Sequence, residues 1–428
     1  MDYIIIGASA AGVSAAETIR QSDPKGKITV VSDENYPIYS RCLLSYYLAG
    51  AIPEEKLKYR PDDFFSKLNI NAVKGEKVLE ITKDKKAVLS GGSKLPFDKL
   101  LIATGSRSKM EKIPGVDKKG VFGLRNVNDA KNIDALLGKA KAAVMLGGGL
   151  IGLRAAYALH KRGLKVTVVV KSAHILSQMS DAEGAGIVQK KIQEEGISVL
   201  TGLSAKEIMG GSEVTGVMLE NGQRLDCQVI VVGKGVEANI ELVKSSGIKT
   251  DWGIIVDEFL QSSMADVYAA GDVAQSKDLV TGESAINALW PNAVIQGKIA
   301  GLNMAGKKIR YDGSMAMNSV EFFGLPTISC GVSKPKDGSG YEIITSKSEK
   351  SNVYKKFVIK DNKLAGFVLV NEVDSAGVYN SLIRKKVDIS SIKDKLTYKN
   401  FDFSKILKLA KANPDKFSER EYQELVIK

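Results

Sequence analysis

The sequence predicts an α/β chain built from two Rossmann-like dinucleotide-binding folds, followed by a small α+β domain at the C-terminus. Three observations carry this. A glycine turn, GASAAG (7–12), follows an apolar run at the very start of the chain. The same arrangement returns as GGGLIG (147–152) after AAVML (142–146), the one internal repeat. Two further apolar runs, LLIATGS (100–106) and DVYAAGDVA (266–274), each end in a turn of small residues.

The first unit reads strand Tyr3–Ile6, turn, helix Val13–Arg20, strand Ile28–Val31, then Asp33 and Glu34. That is the order a dinucleotide fold needs, with the acid about 20 residues past the turn to meet a ribose hydroxyl. Gly7 makes the turn, Ser9 is small enough for a backbone to approach a pyrophosphate, and Gly12 lets the helix pack close. The start of the helix, Ala10 and Ala11 included, then faces the phosphates with unpaired N–H groups.

The second unit reads strand 142–146, turn 147–152, a helix from Leu150 to Arg162 and strand VTVVV (166–170). Gly147, Gly149, Leu150, Ile151 and Gly152 are its candidate pyrophosphate residues. No acid follows the second strand, where Val170, Lys171 and Ser172 stand instead, with His174 beyond. A carboxylate would favour a free 2′-hydroxyl and a cation a 2′-phosphate, so Lys171 leaves NADH and NADPH both open. Two dinucleotide folds in one chain imply two dinucleotides, and hydride chemistry pairs a flavin with a nicotinamide.

The 428 residues suit about three domains. A hydrophobic content of 44% supports a packed core, so the chain reads as globular. Three cysteines, Cys42, Cys227 and Cys330, with no CxxC spacing, exclude a disulfide scaffold and a zinc ribbon. No metal site is expected. The N-terminus lacks a basic leader and no apolar run is long enough to span a bilayer, which points to a cytoplasmic protein. The net charge is +12, with lysines spread along the chain and densest in IRKK (383–386) and KILKLAK (405–411). That reads as a solvated face or a surface for an acidic partner, not as a nucleic-acid site.

GASAAG, ATG (103–105), GGGLIG and AAGDVA (269–274) together resemble the four signatures of the pyridine nucleotide-disulfide oxidoreductase family, over residues 1 to about 310. SRCLLSYYLAG (40–50), LKYRPDDFF (57–65), NALWPNAVIQGKIAGLNMAG (287–306) and VEFFGLPTISCG (320–331) resemble its NADH:rubredoxin reductase and nitrite reductase branch. The last of these, VEFFGLPTISCG, also resembles flavoprotein subunits of NAD-linked iron–sulfur oxidoreductases. The resemblance implies FAD in the first fold and NADH or NADPH in the second. It implies an FAD domain at 1–110 and 245–311, a nicotinamide domain at 111–244, and a C-terminal partner or interface domain at 312–428. By the same resemblance Arg41, Cys42, Val78, Ala103, Thr104, Gly105, Gly271, Asp272, Leu289 and Trp290 join the FAD site, Asp272 on the ribityl chain, and Gly233 joins the nicotinamide site. The implied activity is electron transfer between NAD(P)H and a redox protein or iron–sulfur subunit, in either direction, within a larger complex or a homodimer.

Cys42 is the candidate for a further catalytic role. It follows Arg41 and precedes a helical pattern, Leu43–Ala49, and both a cation and a helix start favour a thiolate. A cysteine occupies this place in the single-cysteine relatives. Against it, those oxidases and peroxidases carry a histidine where Ala10 stands, and the rubredoxin-reductase branch works without a thiol. Arg154 likewise stands where relatives have glutamate. The alternatives are a CoA-disulfide or thiol reductase, or NADH oxidase, working through Cys42, and a flavin-holding assembly subunit.

Overall fold

The computed structural model describes residues 1–419 and divides into two compact units. The first holds residues 1–111, 122–139 and 234–314; the second holds 112–121, 140–233 and the chain from 315. Residues 122–139 and 234–244, which the sequence reading put in the nicotinamide domain, thus pack with the first unit.

The core of the first unit is a five-stranded sheet in the order Ile70–Lys74, Lys27–Ser32, Asp2–Ile6, Lys99–Ile102, Val267–Ala269. Each neighbouring pair is parallel, with Ile4 opposite both Thr29 and Leu100. Both faces of a parallel sheet are covered, which is why the central strands read as largely apolar runs, III in Asp2–Ile6 and LLI in Lys99–Ile102. The order reverses beside Asp2–Ile6, so a crevice opens at the carboxyl end of that strand, where GASAAG lies.

The helix Ala10–Ser22 starts three residues earlier than its apolar pattern suggested. It packs on the helix Trp290–Met304 through small residues. A Cβ on Gly297 would sit 2.2 Å from the Ala11 carbonyl oxygen, and one on Gly301 2.9 Å from that of Ala15. The pairing runs in the same direction along both helices. Their N-termini therefore point to the same end of the sheet, with Trp290 about two turns ahead of Gly297.

The second unit repeats the plan. Its sheet order is Ser198–Thr201, Lys165–Val170, Ala142–Leu146, Val229–Val232, Val121–Phe122, and the helix Leu150–Lys161 follows the central strand. The C-terminal part adds a five-stranded antiparallel sheet ordered Met317–Phe322, Leu325–Gly331, Lys363–Val370, Val353–Lys360, Glu342–Ser348. The helix Ala376–Lys385 covers it with Tyr379, whose ring stacks on Phe401 at 4.8 Å and meets Phe357 at 4.8 Å. Such ring pairs add about 0.5–1.5 kcal/mol each beyond their buried area.

The hairpin between Met317–Phe322 and Leu325–Gly331 turns on two residues, Phe323 (φ 51°) and Gly324 (φ 76°). Two positive φ angles make this the tight hairpin turn that favours Asn-Gly. A bulky side chain at the first position costs about 1–2 kcal/mol.

Candidate functional site

The first candidate site grows from glycines that hold backbones together. Gly7 (φ 112°) brings the strand end against the ATG turn: a Cβ there would lie 2.2 Å from the Ala103 carbonyl oxygen. A Cβ on Gly12 would lie 1.9 Å from the Gly7 oxygen, so the helix start sits directly on the turn. Gly271 (φ 81°) closes the third side, where an added Cβ would be 3.3 Å from Ala11 and 3.6 Å from Ala293. Its N–H donates to Gln296 Oε1 at 2.7 Å. The ATG turn is fixed by Asn239, which donates to the Thr104 oxygen and accepts from Thr104 Oγ1 through its carbonyl, each at 2.9 Å; Gly105 has φ 67°.

Three carboxyl-end turns thus converge on the first turn of the helix Ala10–Ser22. Ser9 is its N-cap, with extended backbone and no side-chain cap bond. By contrast, the helices that begin after Asn126, Asp181 and Asp402 are each capped by those side chains. The N–H groups at Ala10 to Gly12 therefore lack a side-chain acceptor, the donor set that a pyrophosphate fits.

A chain of polar contacts rims this site. Arg125 Nη2 donates to Asp272 Oδ2 at 2.5 Å, and Ser106 Oγ donates to the same oxygen at 2.9 Å. Arg125 Nε also donates to the Ser106 carbonyl at 3.0 Å. Arg41 in turn donates to the Arg125 carbonyl and to Tyr39 Oη at 3.0 Å, and to Glu34 Oε1 at 2.8 Å. Burial opposes the Arg41 charge, but Tyr39 and Glu34 outweigh it and hold the guanidinium above its usual pKa. Asp33 is exposed at the end of the second strand.

Leu289 is the N-cap of the helix Trp290–Met304 and Trp290 its first residue. The Trp290 ring meets Tyr59 edge-on at 5.0 Å, and Arg60 lies 4.0 Å over Tyr59. Val78 is a core residue, 5% exposed, packed with Val31 and Ile102.

Cys42 is exposed, in a single 3₁₀ turn (Arg41–Leu43) ahead of a five-residue helix, Leu44–Leu48. The expected helix was longer, and a helix this short has little dipole. The Arg41 guanidinium, expected to favour a thiolate, is held by Glu34, Tyr39 and Arg125. Cys227 and Cys330 are buried, and burial pushes each thiol up to about 12. Cys330 lies on the strand Leu325–Gly331, and Cys227 lies between the strands Arg224–Asp226 and Val229–Val232. Among the described residues no His, Cys, Asp and Glu group could hold a metal, and no helix is long and apolar enough to cross a membrane.

The second candidate site has the same construction. Gly147 has φ 127°, and a Cβ on Gly152 would lie 2.2 Å from its oxygen. A Cβ on Gly233 would come within 2.9 Å of the Gly152 Cα, so the strand end passes tightly against the helix start. Gly149 is the N-cap (φ −79°, ψ 178°), and the nearest atom to an added Cβ there is 3.9 Å away. Packing within the protein therefore does not require glycine at this exposed position, whereas an approaching phosphate would. Leu150 and Ile151 are half-buried in the first turn, and Lys171 is exposed just past the strand Lys165–Val170. Arg154 is half-buried in the second turn of that helix.

The residues that sequence reasoning missed are Arg125, Ser106, Gln296 and Asn239. Only Arg125 left a trace: it precedes Asn126 and Asp129, which form a capping box, so a helix start was legible there.

A family model described as pyridine nucleotide-disulphide oxidoreductase matches residues 1–297, and one described as rubredoxin NAD+ reductase C-terminal domain matches residues 317–387. The NADH-dependent phenylglyoxylate dehydrogenase subunit epsilon of Aromatoleum evansii is 32% identical over 397 residues, 92% of this chain and 94% of that protein. The assimilatory nitrate reductase electron transfer subunit of Bacillus subtilis (strain 168) is 31% identical over 397 residues, 92% of this chain and 50% of that protein. A chain in the crystal structure of a covalent putidaredoxin reductase–putidaredoxin complex superimposes with a TM-score of 0.88 at 25% identity, covering 96% of this chain and 99% of that one.

Proposed function

The chain belongs to the pyridine nucleotide-disulphide oxidoreductase family and is an FAD-dependent oxidoreductase of NAD(P)H; from this we propose that it passes electrons between the nicotinamide and a one-electron redox protein or iron–sulfur subunit without a thiol relay. The observation that carries the reading is the state of the cysteines. A dithiol relay needs a second accessible thiol, and Cys227 and Cys330 are both buried in hydrophobic surroundings.

FAD, when bound, supplies the exchange between the two-electron nicotinamide and one-electron partners. The chain's own residues bind and orient. The N–H groups at the start of the helix Ala10–Ser22 would take the FAD pyrophosphate, and those at the start of Leu150–Lys161 that of NAD(P)H. Arg125 and Ser106 fix Oδ2 of Asp272, a carboxylate that would hold the ribityl chain of a bound FAD. Asp33 is the carboxylate for the FAD ribose, since Glu34 is held by Arg41. Lys171 makes NADPH acceptable beside NADH. No side-chain acid or base is asked to act, which suits a chain with two histidines, one of which, His174, donates Nδ1–H to a backbone carbonyl at 2.7 Å. In this assignment the FAD domain is 1–110 and 245–311 together with 122–139 and 234–244, which pack with it, the rest of 111–244 is the nicotinamide domain, and 312–428 is the part that meets the partner.

A second reading, thiol or CoA-disulfide reduction through Cys42, draws support from the exposure of that residue. The test is to purify the protein, measure FAD, and follow flavin bleaching by NADH and by NADPH and then the reduction of a rubredoxin, a ferredoxin and a CoA disulfide. One FAD per chain with reduction of an iron–sulfur or rubredoxin partner supports the proposal. Reduction of the CoA disulfide alone overturns it, and a flavin that NAD(P)H does not bleach leaves only a holding subunit.

A further inference from the structure

The strained turn at Phe323 has a partner. Its ring lies edge-on to Tyr157 at 4.9 Å and to His160 at 5.9 Å, and Lys161 Nζ stands 5.4 Å over its centre. These three residues form one face of the last turns of the helix Leu150–Lys161. The opposite face of the same helix, with Gly152, Ala155, Ala156 and Leu159, is buried. At its other end the helix meets Gly147 and Gly233 so closely that no Cβ fits between them. A tight hairpin turn of this type favours asparagine at its first position, yet phenylalanine stands there. Strain retained in this way needs a compensating contact, and the ring on the helix is that contact.

The sheet that carries Phe323 is gripped a second time. Asp181, the N-cap of the helix Ala182–Glu194, accepts from Tyr354 Oη and from Lys356 Nζ, both at 2.8 Å on Oδ2. Tyr354 and Lys356 lie on the strand Val353–Lys360, three strands across the sheet from Met317–Phe322, the strand that leads into the Phe323 turn. Lys356 is 5% exposed and Tyr354 1%, while the Asp181 side chain that joins them is 26% exposed. Two anchors on two helices fix the orientation of the sheet against the second dinucleotide fold. The hairpin tip is then a fixed stop against the last turns of the fingerprint helix.

We propose that Phe323 is a positioning residue for nicotinamide-dinucleotide binding: its ring fixes the tilt of the helix Leu150–Lys161 and, through that rigid rod, the place of the N–H groups at Gly149–Gly152. The inference rests on the reading of GGGLIG as the NAD(P) site. It makes the C-terminal sheet part of the cofactor site at a distance, in addition to any contact with a partner.

The experiment measures the equilibrium Kd of NAD+ and NADP+ for the FAD-loaded protein by calorimetry, with Tm and steady-state kinetics alongside. Phe323→Asn suits the turn and removes the ring. Tyr157→Ala removes the ring's seat and leaves the turn untouched. Each should weaken dinucleotide binding fivefold or more and raise KM for NAD(P)H more than it lowers kcat, the double variant should add little to either, and Phe323→Tyr should restore wild-type Kd. FAD content should not change. A Kd unchanged in both Phe323→Asn and Tyr157→Ala overturns the proposal, as does a loss of Tm with no change of Kd, which would make the ring a packing residue only. Gly149→Ala separates the two layers. If it abolishes NAD+ binding while the Phe323 and Tyr157 variants do not weaken it, the site is right and the positioning role is wrong. If it too leaves binding intact, the reading of the site fails and the proposal falls with it.

Discussion

Gly149 offers a substitution that the protein should tolerate and the ligand should not. Its backbone (φ −79°, ψ 178°) is open to any residue, and an added Cβ meets nothing closer than the Gly233 oxygen at 3.9 Å. Alanine is a poorer N-cap than glycine, by up to about 1 kcal/mol. Fewer unfolded conformations return about 0.4–1 kcal/mol. The two nearly cancel, so Gly149→Ala should unfold within a few degrees of the wild type. The methyl group would stand at the mouth of the second fingerprint, where phosphate oxygens must come to about 3 Å from the N–H groups of the first turn. Pushing them back should cost at least about 1.4 kcal/mol, a tenfold loss of affinity. The assay is calorimetric titration of the FAD-loaded protein with NAD+ and NADP+, together with flavin content and Tm. Affinity within twofold of wild type, with normal flavin and Tm, would refute the view that glycine is kept there for a pyrophosphate.

Gly12→Val is the opposite case: its Cβ would be 1.9 Å from the Gly7 oxygen, so the helix must lift from the turn, and the purified protein should lose its FAD absorbance. A stable variant with full flavin would overturn the first site. Lys171→Glu should lower kcat/KM for NADPH about fivefold more than for NADH, as expected for an exposed charge pair worth ~1 kcal/mol; equal responses would make Lys171 a surface residue only. Cys42→Ser should keep most NAD(P)H-to-acceptor turnover in steady-state assays with an artificial one-electron acceptor and with a rubredoxin or ferredoxin. A hundredfold fall, about 2.7 kcal/mol of transition-state stabilisation, would make Cys42 a redox centre.

What was legible in the sequence is what short-range geometry dictates. Gly7, Gly12, Gly147 and Gly152 announce themselves because a side chain at any of them would strike a backbone oxygen or force a positive φ. The central parallel strands announce themselves because burial on both faces favours apolar residues, as in Ile4–Ile6 and Val144–Leu146. Arg125 was not legible, because nothing in its neighbours says that it will reach Asp272, far along the chain. Gln296 is hidden for the same reason: it looks like a polar residue on a helix until its amide is found bonded to Gly271 N–H, 25 residues back. Arg41 shows the reverse error. Adjacency to Cys42 suggested a cation beside a thiol, but neighbours in sequence point where their own partners are. The two-unit packing was also hidden, since the capping box at Asn126 marks where a helix begins and not which sheet it joins.

The rim contacts change how the thiol question should be put. Glu34, Arg41, Arg125 and Asp272 form one chain of contacts, from the end of the second strand of the first sheet to the end of its last. Arg41 is the link that ties the loop carrying Cys42 to this chain, through its bonds to Glu34 and to the Arg125 carbonyl, and it also holds Tyr39 Oη within the loop. A thiolate at Cys42 would have to compete with Glu34 for that guanidinium, and Glu34 already holds it at 2.8 Å. In the proposed assignment the arginine would hold this loop against the FAD site through Glu34 and the Arg125 carbonyl. The proposed route of electrons through the flavin asks for no thiol at position 42. The same scaffold can then carry a cysteine without depending on it, which is the behaviour expected of an enzyme whose electrons leave from the flavin.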